Sequence, residues 1–313
     1  MSADCGVPRW KMWLIKAIDR DLYYRIRSHL TTRRTRDKWI DYSENGFLLP
    51  EVVARGSASF KHSGNAGDII YALPAIREIV CGGGAELRLV MNAPMRARIA
   101  HPLGGVMLNE EMFYLMLPLL SAQDYIKSVA IHDGGAVDYD LDVFRSSPLP
   151  IDRINLSRLY LPFLGIALDL TEPWLKVPPD TSFSDCVILA RSSRYHNCGI
   201  NYKLMSGRTD VVFVGIEEEY LQMKENIPGL HWHPVRDFLE MAAIISGAKA
   251  FIGNQSLPYA IAEGLKVPRI LEVDPSIPNV VPSGRNGYEA FFQRQFEYLV
   301  SRVAGRSVSS QLV

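Results

Sequence analysis

From Ser57 onward the chain alternates short apolar, β-rich runs with stretches whose apolar residues recur every three to four positions. The run SASFKHS is followed by helical periodicity from about Asp68 to Val80, then by ELRLVMN, SVAIH and the helical stretch IDRINLSRLYLPFLGI. After LTEPWLKVPPDTSFSD, rich in Pro and polar residues, the pattern restarts. DCVILAR, DVVFVG, AKAFIGN and RILEV read as buried strands, with EEEYLQMKEN, DFLEMAAIISG and LPYAIAEGL as helices between them. Such alternation builds parallel sheets from βαβ units. The expected fold class is α/β: two tandem Rossmann-like domains, 56–178 and 179–285, with the Pro-rich stretch as linker. A cleft is expected between the carboxyl ends of their strands. The last helical run, YEAFFQRQFEYLVSRV, within 286–313, is long enough to cross that cleft and pack back on the first domain.

Residues 1–55 read as a basic, partly helical amino-terminal extension. Trp10, Trp13, Leu14, Ala17 and Ile18 fall at helical spacing, flanked by Lys16 and Arg20 on one side and Lys11 on the other. An amphipathic basic helix of this kind can lie on an anionic membrane surface. The plainer expectation, and the favoured one, packs its apolar stripe on the domain that follows.

Composition changes this picture little. The 313 residues are 48% hydrophobic and 22% charged, which is globular and excludes disorder, a collagen helix and a coiled rod. Lys and Arg number 34 and so do Asp and Glu, leaving no whole-molecule field to gather a polyanion. The charge is asymmetric: residues 1–40 hold ten Lys/Arg against four Asp. Four cysteines, far apart and without a C-x-x-C pair, fit a reducing compartment. The first residues lack the unbroken apolar core of a signal peptide, and no stretch approaches the roughly 20 apolar residues of a membrane span. A cytoplasmic protein is expected, with peripheral contact to the inner face of a membrane through residues 1–40.

Three segments carry candidate chemistry. In KHSGNAGDIIYALPAIREI a strand ends at His62, Gly64 and Gly67 permit a tight turn, and Asp68 opens a helix at the strand's carboxyl end. Asp68 can face the cleft or cap its own helix. In AKAFIGNQSLPYAIAEGLKVPRILEV a strand runs into Asn254, Gln255 and Ser256, and a helix starts near Pro258. Free amides and the positive end of the dipole make that start an anion site suited to a diphosphate, or else a routine turn capped by Ser256. In ILARSSRYHNCGINYKLM, Arg191 and Arg194 follow a strand, where guanidinium groups can neutralise phosphate or simply be solvated.

GDIIYALPAI resembles the first-domain motif of glycosyltransferase family nine, the ADP-heptose:lipopolysaccharide heptosyltransferases. FIGNQSLPYAIAEGLKVP resembles that family's second-domain motif without a gap, and FVGIEEEY followed by DFLEMAAIISGAKAFIGN matches in order and spacing. The similarity covers roughly 57 to 300. It implies a GT-B fold, with donor on the second domain and acceptor on the first, and an inverting transfer that needs no metal or other cofactor, the nucleoside-diphosphate sugar being a co-substrate. It places Asp68 as general base, with His62 and Asn65 on the acceptor side. Arg191, Arg194, Asn197, Asn254, Gln255, Ser256 and Leu257 fall to the donor, with Glu218 near its ribose, uncertain by one residue among Glu217, Glu218 and Glu219. The expected partners are a nucleotide sugar and a glycan or lipid-linked acceptor. The sequence departs from the family at Gln255 for Asp, Leu257 for Gly, Ala260 for His, and Asn197 near a lysine.

Rival readings remain. Asp138, Asp140 and Asp142 alternate in DYDLDVF, the D-x-D spacing of metal-dependent glycosyltransferases. His231 and His233 share a strand face without a third ligand at a recognisable spacing. Ser192 and Ser193 lack the G-x-S-x-G context, and the G-N-A-G turn lacks the G-K-[ST] of a Walker loop. A non-catalytic module binding a nucleotide sugar or glycan is an alternative that the departures allow. A nucleic-acid acceptor would use the basic extension and its aromatics, and the neutral overall charge weighs against it.

Overall fold

The computed structural model describes residues 7–45, 56–95 and 104–305. The chain divides into two compact units, one of residues 1–49 with 146–149 and the other of 50–145 with 150–313.

In the first unit α1 spans Arg9–Ile18 and α2 spans Arg20–Asn45. Asp19 separates them in extended conformation, and its carboxylate accepts the Leu22 amide at the start of α2. No residue of α1 is buried: Trp10, Trp13 and Ile18 are 61, 69 and 85% exposed. No described helix is long and apolar enough to cross a membrane.

The larger unit holds two parallel sheets. Its first half runs β1 (Ser57–His62), α3 (Ala66–Val80), β2 (Gly84–Leu89), α4 (Glu110–Ser121), β3 (Ile126–Ile131), β4 (Tyr139–Asp140) and α5 (Leu156–Leu164). The second half runs β5 (Val187–Ala190), β6 (Val211–Phe213), α6 (Glu217–Asn226), β7 (His231–Trp232), α7 (Phe238–Gly247), β8 (Ala250–Asn254), α8 (Leu257–Leu265), β9 (Arg269–Glu272), β10 (Gly287–Ala290) and α9 (Gln293–Val303). The strand orders are β3-β2-β1-β4 and β10-β9-β8-β5-β6-β7, every pairing parallel.

In each sheet the order reverses beside the first strand, between β1 and β4 and between β5 and β8. Loops leaving the carboxyl ends of strands at such a reversal diverge and open a crevice. The candidate segments after β1, β5 and β8 all leave from these points. Strands β5, β8 and β9 are buried at every position, as central parallel strands are, although β8 ends in Asn254 and β9 begins and ends in Arg269 and Glu272.

Three expectations meet a different structure. The Pro-rich stretch is a packed strap: Trp174 and Leu175 are buried, the Trp174 indole donates to the Ile70 carbonyl at 3.0 Å, and its amide donates to the Gly264 carbonyl at 3.0 Å. Tyr288 to Ala290 belong to β10, because parallel pairing in register with β9 outweighs helical periodicity. The shortened α9 buries Phe296, Leu299 and Val300 in the core of the second sheet with Leu189, Phe213 and Ile270, rather than directing that face to the first. No helix was foreseen at 110–121; α4 forms there with Asn109 capping the Met112 amide at 2.9 Å.

Candidate active site

The turn between β1 and α3 is built around a buried histidine. His62 is fully buried, and its Nδ1 accepts the Gly64 amide at 2.9 Å, so Nε2 carries the proton and faces the Tyr160 hydroxyl at 2.9 Å. Tyr160 in turn donates to the Asp68 carbonyl at 3.1 Å. Burial lowers the His62 pKa, which keeps the ring neutral and the acceptor role of Nδ1 intact. A Cβ on Gly64 would lie 2.5 Å from the His62 ring and 2.8 Å from Asp68 Cβ, so glycine is needed there for space. Gly64 and Gly67 do not take positive φ. His62 is thus a support of the turn and does not line the cavity described below.

Asp68 is the third residue of α3, not its cap; Asn65 occupies the cap position. Asp68 Oδ2 accepts the Asn65 amide at 3.1 Å and lies 3.4 Å from Arg145 Nη2. Arg145 also reaches Asp142 at 3.0 Å, and Asp142 accepts the Ser63 amide at 3.1 Å. Nothing in the sequence marks Arg145, since its partner lies 77 positions away. The D-x-D carboxylates are engaged by β1 and its turn: Asp138 by Ser59, Asp140 by Lys61 at 2.6 Å, Asp142 by Ser63. Among the described residues no three His, Cys, Asp or Glu side chains converge as metal ligands, and His231 and His233 are not joined by a third.

Across from Asp68, the second half folds inward on its own polar side chains. Arg191 makes a two-pronged ion pair with the fully buried Glu272, both contacts at 2.7 Å. Glu272 also accepts the Tyr202 hydroxyl at 2.8 Å and the Asn197 amide at 2.7 Å. The Asn197 side chain, buried, donates to the Val273 and Phe291 carbonyls at 2.9 and 3.0 Å. Asn254 accepts the Ser192 amide at 2.9 Å and donates to the carbonyls of Ser192 and Arg194. Gln255 donates to the Ile277 carbonyl and to Asn279 and accepts the Asp274 amide at 2.8 Å.

These loops enclose a cavity of about 380 Å³. From the first half Asn65 and Asp68 line it; from the second, Arg194, Tyr195, Glu219, Gln255, Ser256 and Leu257. Of the expected site residues, His62, Arg191, Asn197, Glu218 and Asn254 are not brought to it. Glu218 is exposed, while its neighbour Glu219 lines the cavity and accepts the Ser193 amide at 3.0 Å. Burial raises the Glu219 pKa against that hydrogen bond and the Arg194 charge. Arg194 is the only cation lining the cavity among the described residues. A second wall is apolar, formed by Trp232, Pro234, Val235, Phe238 and Met241, which sequence reasoning passed over; the WHPV turn ahead of α7 was the available signal. Tyr220 stacks on Trp232 at 5.5 Å and holds the indole.

Helix α3 packs on α8, and residues at the start of each, Asn65 to Asp68 and Ser256 to Pro258, line the same cavity. The fold is shared with solved structures. E. coli heptosyltransferase WaaC with ADP matches 79% of this chain and 100% of its own, at 11% identity and a TM-score of 0.51. The chain is heptosyltransferase-like in fold. The glycosyl transferase family 9 structure from Veillonella parvula DSM 2008 matches 75% of this chain and 86% of its own at 11% identity, TM-score 0.49. E. coli ADP-heptose lps heptosyltransferase II matches 79% and 95% at 12% identity, TM-score 0.44. No family model and no curated protein matches the chain. At such identity the likeness is one of fold, and activity has to be argued from the cavity.

Proposed function

We propose that this protein is a GT-B glycosyltransferase of two tandem Rossmann-like halves that moves a sugar from a nucleoside-diphosphate sugar to a hydroxyl of a glycan or lipid-linked acceptor. The observation that carries this reading is the cavity itself, with the Asp68 carboxylate on one side and Arg194 with the start of α8 on the other. The acceptor oxygen attacks the anomeric carbon while its proton passes to Asp68. The carbon–oxygen bond to the diphosphate breaks, and the leaving group departs with the electron pair. Arg194 and the amides after Ser256 meet its growing charge. One displacement inverts the anomeric centre. Glu219 takes the ribose role first assigned to Glu218, and the Trp232 wall takes the base. Arg191, Asn197 and Asn254 act behind the site, holding the loops that the donor touches, and Gln255 holds its loop from the cavity wall. Cation and helix dipole carry the diphosphate in this scheme without a metal.

The exposed Trp10, Trp13 and Ile18 beside Arg9, Lys11 and Lys16 support peripheral contact of the amino-terminal segment with an anionic membrane surface.

The test is a thermal-shift screen against nucleoside diphosphates and their sugars, since a ligand of the folded form raises the melting temperature. The sugar nucleotide so found should be turned over with a hydroxyl acceptor. Asp68→Asn should lower that turnover by about 10²–10⁴ while nucleotide affinity holds. Affinity without turnover in the unaltered protein would make it a binding module instead.

A further inference from the structure

Resting on that reading, we propose that Tyr195 contacts the transferred sugar, its phenolic hydroxyl donating a hydrogen bond to a sugar oxygen between Asp68 and the start of α8. Four described residues other than glycine have positive φ: Cys81, Asn92, Lys266 and Tyr195. Cys81 and Lys266 close helices, and Asn adopts this region readily. Tyr195, at φ 56°, is a bulky residue in a loop with neither reason. A left-handed conformation there costs free energy, and the surroundings must impose it.

Asn254 imposes it. Its amide nitrogen donates to the Ser192 carbonyl at 3.0 Å, to that of Arg194, and at 3.5 Å to that of Tyr195 itself. Its oxygen holds the Ser192 amide. The same Asn254 precedes Gln255 and Ser256, so one side chain sets the Tyr195 loop against the start of α8. The ring is then half-buried in the cavity wall, with the Arg194 guanidinium 5.3 Å over it. Its hydroxyl makes no hydrogen bond to the protein among the described residues, and its oxygen is not fully buried.

The chemistry of that hydroxyl narrows the ligand. Burial raises its pKa, with Arg194 opposing and Asp68 and Asp274 adding, so it stays a neutral donor. A diphosphate already has Arg194 and a helix start. A sugar has hydroxyl oxygens that accept from neutral donors, and Tyr195 lines the same cavity as Asp68 and the start of α8.

The experiment compares the unaltered protein with Tyr195→Phe, measuring Kd for a nucleoside diphosphate and for its sugar, alongside the melting temperature. Phe keeps the ring, the Arg194 stacking and the backbone, so the melting temperature should not move. Affinity for the nucleotide sugar should fall about five- to tenfold, the size of one hydrogen bond, while that for the diphosphate stays the same. Equal losses for both ligands would assign the hydroxyl to the diphosphate and overturn the proposal. No loss for either would overturn it as well. If the unaltered protein binds no nucleoside diphosphate or nucleotide sugar, the transferase reading itself falls and this contact with it.

Discussion

The turn after β1 and the loops after β5 and β8 face the same cavity and are built in opposite ways. In the first, the buried polar residue is behind the turn: His62 and Tyr160 fix the backbone, and Asp68, held by the Asn65 amide and Arg145, still lines the cavity. In the second, the side chains that looked like ligand contacts are themselves the supports. Arg191, Asn197 and Asn254 spend their hydrogen bonds on Glu272 and on neighbouring carbonyls. Among the described residues, this half leaves the cavity one cation, the Glu219 and Gln255 side chains, the start of α8 and a strained tyrosine. One half offers a side chain and the other chiefly a shaped backbone.

The sharpest way to break this contrast is to remove the support at its centre. Glu272→Ala leaves Arg191 buried without a partner and frees Tyr202 and the Asn197 amide. It should cost about 3–5 kcal/mol in urea unfolding, the range for a severed buried ion pair. A loss under 1 kcal/mol would mean the loop is not held from behind. Asn254→Ala should cost about 1–3 kcal/mol by the same measurement, because it orphans buried backbone groups. It should also weaken nucleotide-sugar binding, although Asn254 does not line the cavity.

On the other side, Arg145→Gln removes the guanidinium beside Asp68 and keeps a donor of similar size. Turnover should fall about tenfold through loss of orientation, with nucleotide Kd unchanged. A change in nucleotide Kd would place Arg145 on the donor side and blur the two halves.

The smallest effect concerns Glu219. Its pKa is raised in the folded protein, so its contribution to stability is fully present below the unfolded carboxylate value and is lost as pH rises through the folded one. Glu219→Gln should therefore melt about 1–2 °C higher than the unaltered protein at pH 7 and no higher at pH 4. Nucleotide affinity of the unaltered protein should decline as acid protonates Glu219, and the Gln variant should lack that decline.

Much of this was open to reading in one dimension. The apolar runs of β5, β8 and β9 and the periodicity of α3, α7 and α8 are local signals, and they survive folding because each element buries the face that its own pattern defines. The same holds for Asp68, whose position after a strand and a glycine turn is a local fact. Tyr288 to Ala290 were misread because a four-residue strand at the end of a sheet is chosen by its neighbour.

The sequence by itself therefore determined the alternation of elements, the loops from which the site is made and the carboxylate that faces it. Tertiary structure alone decided which polar side chains the site keeps. Arg191 and Glu272 are 81 positions apart and Asp68 and Arg145 are 77, and no local pattern distinguishes an arginine that will meet a ligand from one that will meet a buried glutamate. That choice follows from burial: a charge or amide taken out of water must find a partner inside the protein, and the fold fixes which partner is within reach.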